Sequence, residues 1–109
     1  MMMNTENKFY RETLFHENNC YEDEDVDIRI SPDEIVLREI TSEHAPGGMY
    51  GLRHELDQEN TEKFVRSLGL PLDCDPAEIA KGFRGRGAEE RFKDHCRRHS
   101  IEFRSQMIL

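Results

Sequence analysis

The stretch from Ala88 to Ile108 changes its period at a single residue, and that switch constrains the fold more than any other feature of the chain. Ala88, Phe92, His95, Cys96 and His99 recur at helical spacing and form one stripe. Glu89, Glu90, Lys93, Asp94, Arg97 and Arg98 fill the opposite face, acids in the first turn and bases in the last, as the helix dipole prefers. Glu89–Lys93 and Asp94–Arg98 are i,i+4 pairs with the acid first, each contributing about 0.2–0.5 kcal/mol. After Ser100, Ile101, Phe103, Ser105 and Met107 alternate with Glu102, Arg104 and Gln106, the pattern of a half-buried strand. With only Ser100 between the two signals, the strand must fold straight back and return to a sheet built by earlier residues.

Those earlier residues supply the sheet. Lys8 to His16 is aromatic and β-prone and reads as a first strand; His16 to Asp25 reads as a polar loop ending in an acidic run. Val26, Ile28 and Ile30 alternate with Asp27 and Arg29. Ser31-Pro32-Asp33-Glu34 is a type I turn, and Ile35 to Ile40 follows, so residues 26–41 form a hairpin. Ile35-Val36-Leu37 is apolar on both faces, which predicts a central strand covered on both sides. Ser42 to Gly48 is a loop and Met49 to His54 a further strand. A helix capped by Asn60 or Thr61 carries Phe64, Val65 and Leu68 and ends at Gly69. Asp75-Pro76-Ala77-Glu78 opens another, with Ile79, Ala80 and Phe83 inward and Gly82 and Gly85 at its end. Strands first, helices second and one closing strand predict an α+β fold. Its mostly antiparallel sheet has about five strands, with about three helices on one face. Residues 1–7 read as a flexible N-terminus and 8–109 as a single domain.

Apolar residues make up 36% of the chain and charged residues 35%; the apolar ones fall in periodic clusters, so the chain folds rather than staying disordered. No apolar run approaches the roughly 20 residues of a membrane helix, and the N-terminus lacks a signal-peptide pattern. Three cysteines without tight spacing fit reduced thiols. The expected compartment is the cytoplasm. Charge is uneven: residues 1–80 hold 7 Lys and Arg against 19 Asp and Glu, and residues 81–109 hold 8 against 4, within a net charge of −8.

The candidate chemistry is sparse. His95, Cys96 and His99 lie close on one helix and form the metal or enzyme alternative, but there is no CxxC, and Cys96 stands where HExxH needs Glu. The run Glu22-Asp23-Glu24-Asp25 with Asp27 lacks the glycine of an EF-hand loop. Gly82-Phe83-Arg84-Gly85-Arg86-Gly87 matches no phosphate-loop pattern and reads as a helix–helix joint that leaves Arg84 and Arg86 for a possible anion contact. No catalytic residue, metal or cofactor is assigned, and the reading is non-enzymatic.

That leaves protein binding. Acidic side chains can take the place of phosphates on a basic protein. In size and charge, though not by any family motif, the chain is of the general type of small acidic inhibitors, including immunity proteins that cap nuclease toxins in toxin–antitoxin pairs. The expected partner-binding residues are Glu17, Glu22, Asp23, Glu24, Asp25 and Asp27, treated as one acidic loop, with Glu55, Asp57, Glu59 and Glu62 as a second acidic patch and Tyr21 and Tyr50 as aromatic anchors. The alternative is a small regulatory domain touching nucleic acid through the basic C-terminal third, against which the net charge of −8 weighs.

Overall fold

The computed structural model describes residues 9–44 and 47–108. The expected terminus 1–7 and the strand start at Lys8 lie outside the described residues. The elements in order are β1 (Tyr10–Asn18), β2 (Glu22–Ser31), β3 (Glu34–Glu43), β4 (Gly48–Leu56), α1 (Gln58–Ser67), α2 (Pro76–Ala80), a 3-10 turn (Lys81–Phe83), α3 (Ala88–Arg98) and β5 (Arg104–Met107). The five strands form one antiparallel sheet in the order β1-β2-β3-β4-β5. This is the α+β architecture read from the sequence.

Strand alternation assigns the two faces. Val26, Ile28 and Ile30 of β2 lie across from Glu39, Leu37 and Ile35 of β3, and Ile35 from Leu56 of β4. This face meets Phe64, Ile79, Phe83, Phe92 and Cys96 of the helical layer in one core. At β1 a bulge between Thr13 and Phe15 makes Leu14 an extra residue; Leu14 is buried, and its carbonyl accepts the Gly85 N–H at 2.8 Å. The helical joint is thereby stitched to the sheet edge.

Among the described residues no layer covers the opposite face, which corrects the expectation for Ile35-Val36-Leu37. Val36 is only 2% exposed, yet it lines a shallow hollow with Arg11, Asp27, Arg29, Arg38 and Arg53. Arginine stems, not a second sheet or helix, keep water off it.

Four local expectations also change. The acidic run belongs to β2, not to a loop. Asn19 closes a tight turn by accepting the N–H groups of Tyr21 and Glu22 on its side chain, so pairing begins at Glu22 despite the poor strand propensity of acids. Helix α1 starts three residues early, because Asp57 is the cap and accepts from the Asn60 N–H at 2.9 Å. Asn60 instead sits buried and accepts the Glu102 N–H, holding the chain that leads into β5. That chain enters pairing only at Arg104: Ile101 is buried ahead of the strand, and Ser105 and Met107 are exposed because β5 is an edge. The reversal after α3 is made by Ser100 at φ 56°, with the Ile101 N–H donating to the Cys96 carbonyl at 2.8 Å. Finally, Glu89, expected on the solvated face of α3, is 8% exposed. No helix among the described residues is long and apolar enough to cross a membrane.

Candidate functional site

A meander puts alternate turns at the same end of the sheet. The β1–β2 turn and the connection leaving β3 meet there, and the His44 N–H donates to the Tyr21 carbonyl at 2.9 Å. Register then collects the acids: Glu17 lies across from Glu24, Asn18 from Asp23, and Glu22 from Glu43. Glu24 pairs with Thr41, which pairs with Tyr50, so Tyr50 stands two strands from Glu24, about 10 Å away. Asp23, Ser42 and Met49 form the next row, facing the other side. Three large apolar side chains are exposed at this end: Tyr21 at 77%, Met49 at 58% and Tyr50 at 45%.

Three of the carboxylates have partners, Glu17 being held by an Arg86 fork. Asp25 lies 2.6 Å from His16 Nδ1, and Asp23 3.4 Å from His44 Nε2. Among the described residues, Glu22, Glu24 and Glu43 make no ion pair with Lys, Arg or His. Like charges directly across strands are destabilising, and Glu17–Glu24 and Glu22–Glu43 are both such pairs. Burial, with the carboxylates of Glu24 and Glu89 nearby, pushes the Glu39 carboxyl up to about 7.

The remaining sequence candidates lie elsewhere. Asp27 accepts Arg38 in a bidentate pair at 2.8 and 3.2 Å on the open sheet face. Glu55 and Asp57 sit at the far end of β4 and do not join the acidic end. Arg104 and Arg53 hold the Glu55 carboxyl below its usual range. The Asn60 N–H and side-chain amide do the same for Asp57 in its capping role. Arg84 and Arg86 reach β1, forking onto Glu12 and Glu17 respectively and lowering both carboxyls. Arg91 donates to the carbonyls of Arg84 and Arg86. The glycine-rich joint is thus a strap over β1, with Arg86 also lying over the Phe15 ring at 5.0 Å.

Neither does the α3 histidine stripe gather into a site. Cys96 is fully buried, and burial pushes its thiol up to about 12. His95 is within 2.7 Å of Ser67 Oγ, and burial followed by the neighbouring His99 lowers its pKa. Among the described residues, no group of three or more His, Cys, Asp or Glu is placed to hold a metal ion.

Two features escaped the sequence. One is buried: His54 Nε2 is 2.6 Å from Glu89 Oε2, and its Nδ1 is 2.7 Å from Ser105 Oγ. Lys93 approaches the same Glu89 oxygen at 3.6 Å. The order hydroxyl, imidazole, carboxylate is that of a nucleophile relay, but the ring presents Nδ1 to the hydroxyl, where the serine-hydrolase arrangement presents Nε2. What it does is join β4, β5 and α3 while satisfying both nitrogens of a buried histidine. The other is the arginine lattice over Val36. Its signal was available in strand phase: Arg29 and Arg38 alternate with inward isoleucines and leucine. Comparisons with protein-family models, with characterised proteins and with solved structures find no match to this chain.

Proposed function

We propose that this protein is a non-enzymatic protein-binding domain, an acidic inhibitor or immunity-type protein that seats a basic partner, such as a nuclease toxin, on the turn end of its sheet. The observation that carries the reading is the meeting of the two turns. It brings Tyr21, Met49 and Tyr50 as exposed apolar anchors to one end of the sheet, Tyr50 on the side of Glu22, Glu24 and Glu43 and Met49 on the side of Asp23 and Asp25. Aromatic anchors supply the energy of an interface, and the surrounding carboxylates steer a cationic surface and fix its orientation. The retained Glu22–Glu43 like-charge pair favours the same reading, because a surface selected only for stability would not keep it. Three free cysteines fit a cytoplasmic setting. Nucleic-acid binding through the C-terminal third is disfavoured, because the Arg84, Arg86 and Arg91 guanidiniums are occupied within the chain.

The test is capture from the native host at low salt, with wild type beside two variants. One changes Glu22 to Asp25 to Ser, the other changes Tyr21 and Tyr50 to Ala. Capture of one basic protein by wild type, eluted by salt and lost in both variants, supports the reading. Recovery of nucleic acid, or of the same proteins by all three baits, overturns it.

A further inference from the structure

The open face of the sheet is positive on a chain of net charge −8. One row across the five strands reads Arg11, Arg29, Val36, Glu55 and Arg104; the next reads Thr13, Asp27, Arg38, Arg53 and Gln106. Five guanidiniums therefore stand against two carboxylates. Arg11 lies directly across from Arg29, and Arg38 directly across from Arg53, a placement that is destabilising without a counter-charge. Asp27 is consumed by its fork with Arg38. Glu55 is shared with Arg104 at 3.0 Å. The buried Arg53 Nε lies 2.5 Å from Glu55 Oε2 in an ion pair of poor hydrogen-bond angle, so Glu55 is divided between two arginines.

These groups surround a hollow of about 40 Å³ lined by Arg11, Asp27, Arg29, Val36, Arg38 and Arg53. That exceeds the roughly 10–15 Å³ a single water needs and falls far short of the roughly 300–1,000 Å³ of a drug-sized ligand pocket. Acids bound the lattice at both ends, Asp25 on one side and Asp33 with Glu34 at the β2–β3 turn, so the positive island does not extend along a polyanion track. Among the described residues no aromatic ring lines the hollow to stack a base, the Phe9 ring lying 5.8 Å from the Arg29 guanidinium outside it.

We propose that the hollow on the open sheet face binds a phosphate group, held by Arg11, Arg29, Arg38 and Arg53, with Asp27 fixing Arg38 as a positioning residue. Guanidinium forks match the tetrahedral oxyanion in charge and geometry, and the opening to solvent admits either inorganic phosphate or the phosphate of a monoester. The site is separate from the acidic end and stands or falls independently of the protein-binding reading.

The test is thermal unfolding of the full chain, with isothermal titration, against inorganic phosphate, a phosphomonoester (O-phosphoserine) and sulfate at constant ionic strength made up with chloride. Wild type is compared with R53Q, R29Q and the control R66Q on α1. The expected result is saturable stabilisation by phosphate. The affinity falls at least tenfold in R53Q and R29Q and is unchanged in R66Q. Loss of a like-charge neighbour should leave both site variants folded, and their unliganded melting curves report this directly. If the monoester binds at least tenfold tighter than inorganic phosphate, the source is an esterified phosphate; equal affinities assign free phosphate. The proposal is overturned by any of three results: no saturation by 20 mM, equal binding in R53Q, or a response to phosphate that sulfate and chloride reproduce at every concentration. It is likewise overturned if a short oligonucleotide is the tight ligand and binds R53Q as well as wild type.

Discussion

His54 occupies a sheet position where its neighbours, Leu56 and Leu37, are apolar, and it is 3% exposed. A buried imidazole is tolerated there because Glu89 and Ser105 complete both nitrogens and Phe103 packs edge-on at 5.7 Å. His54→Ala leaves the Glu89 carboxylate buried without its principal partner and should cost about 3–5 kcal/mol in urea unfolding. Ser105→Ala, at an exposed edge position, should cost about 0.5–1.5 kcal/mol. Equal effects would refute the clamp. Glu39 sets a pH dependence of the opposite kind to an ordinary ion pair. Its folded-state pKa of about 7 lies above the ordinary glutamate value of 4.5, so the folded chain binds more protons between those limits. Its contribution to stability is therefore favourable at low pH and is lost as pH rises from about 4.5 to about 7. Glu39→Gln should match wild type near pH 4 and become progressively more stable than it towards pH 8. Parallel urea midpoints across that range would sink the assignment.

The turn between α3 and β5 is the point on which the element order depends. Ser100 holds φ 56° with a side chain that disfavours it, because the chain must reverse within one residue to bury Ile101 against the end of α3. Ser100→Gly should therefore stabilise the protein by about 0.5–1 kcal/mol, read as a rise in melting temperature; a fall would mean that the Ser100 side chain has a role the backbone does not explain. The helix–turn–strand order around this residue was legible from the change of period. The start of β5 was not, since alternation begins at Ile101 while pairing with β4 begins at Arg104. Similarly, α2 begins at the Asp75-Pro76 signal, whereas α1 begins at Asp57, because Asn60 was recruited to hold the Glu102 N–H.

For the whole molecule, charge is organised by the sheet and not by position along the chain. The basic C-terminal third folds its arginines onto acids of β1. The exposed positive field comes instead from arginines spaced along the acidic part, one from each of the first four strands. The acidic end, by contrast, remains in excess, with like charges facing across Glu22–Glu43 and Glu24 across from the Arg86-held Glu17. Glu22→Gln combined with Glu24→Gln should raise stability by about 1 kcal/mol, corresponding to roughly 4–8 °C in the melting temperature of a small domain. The same variant should weaken capture of the partner. A melting point unchanged or lowered would show that these acids are balanced within the fold.

The sequence by itself determined which segments pair and which pack: periods of 2 and 3.6 state which side of each element is apolar, and burying those sides admits few arrangements beyond a sheet with helices on one face. The tertiary structure alone decided what each polar residue does. Glu89 and His54 are 35 positions apart, Arg11 and Arg53 line one hollow from the first and fourth strands, and no local pattern can report a meeting that is made by strand register and by the return of α3 over the sheet. Hydrophobic pattern is a property of a segment and its neighbours in sequence, whereas the partner of a charge is set by distances that exist only once the segments are assembled.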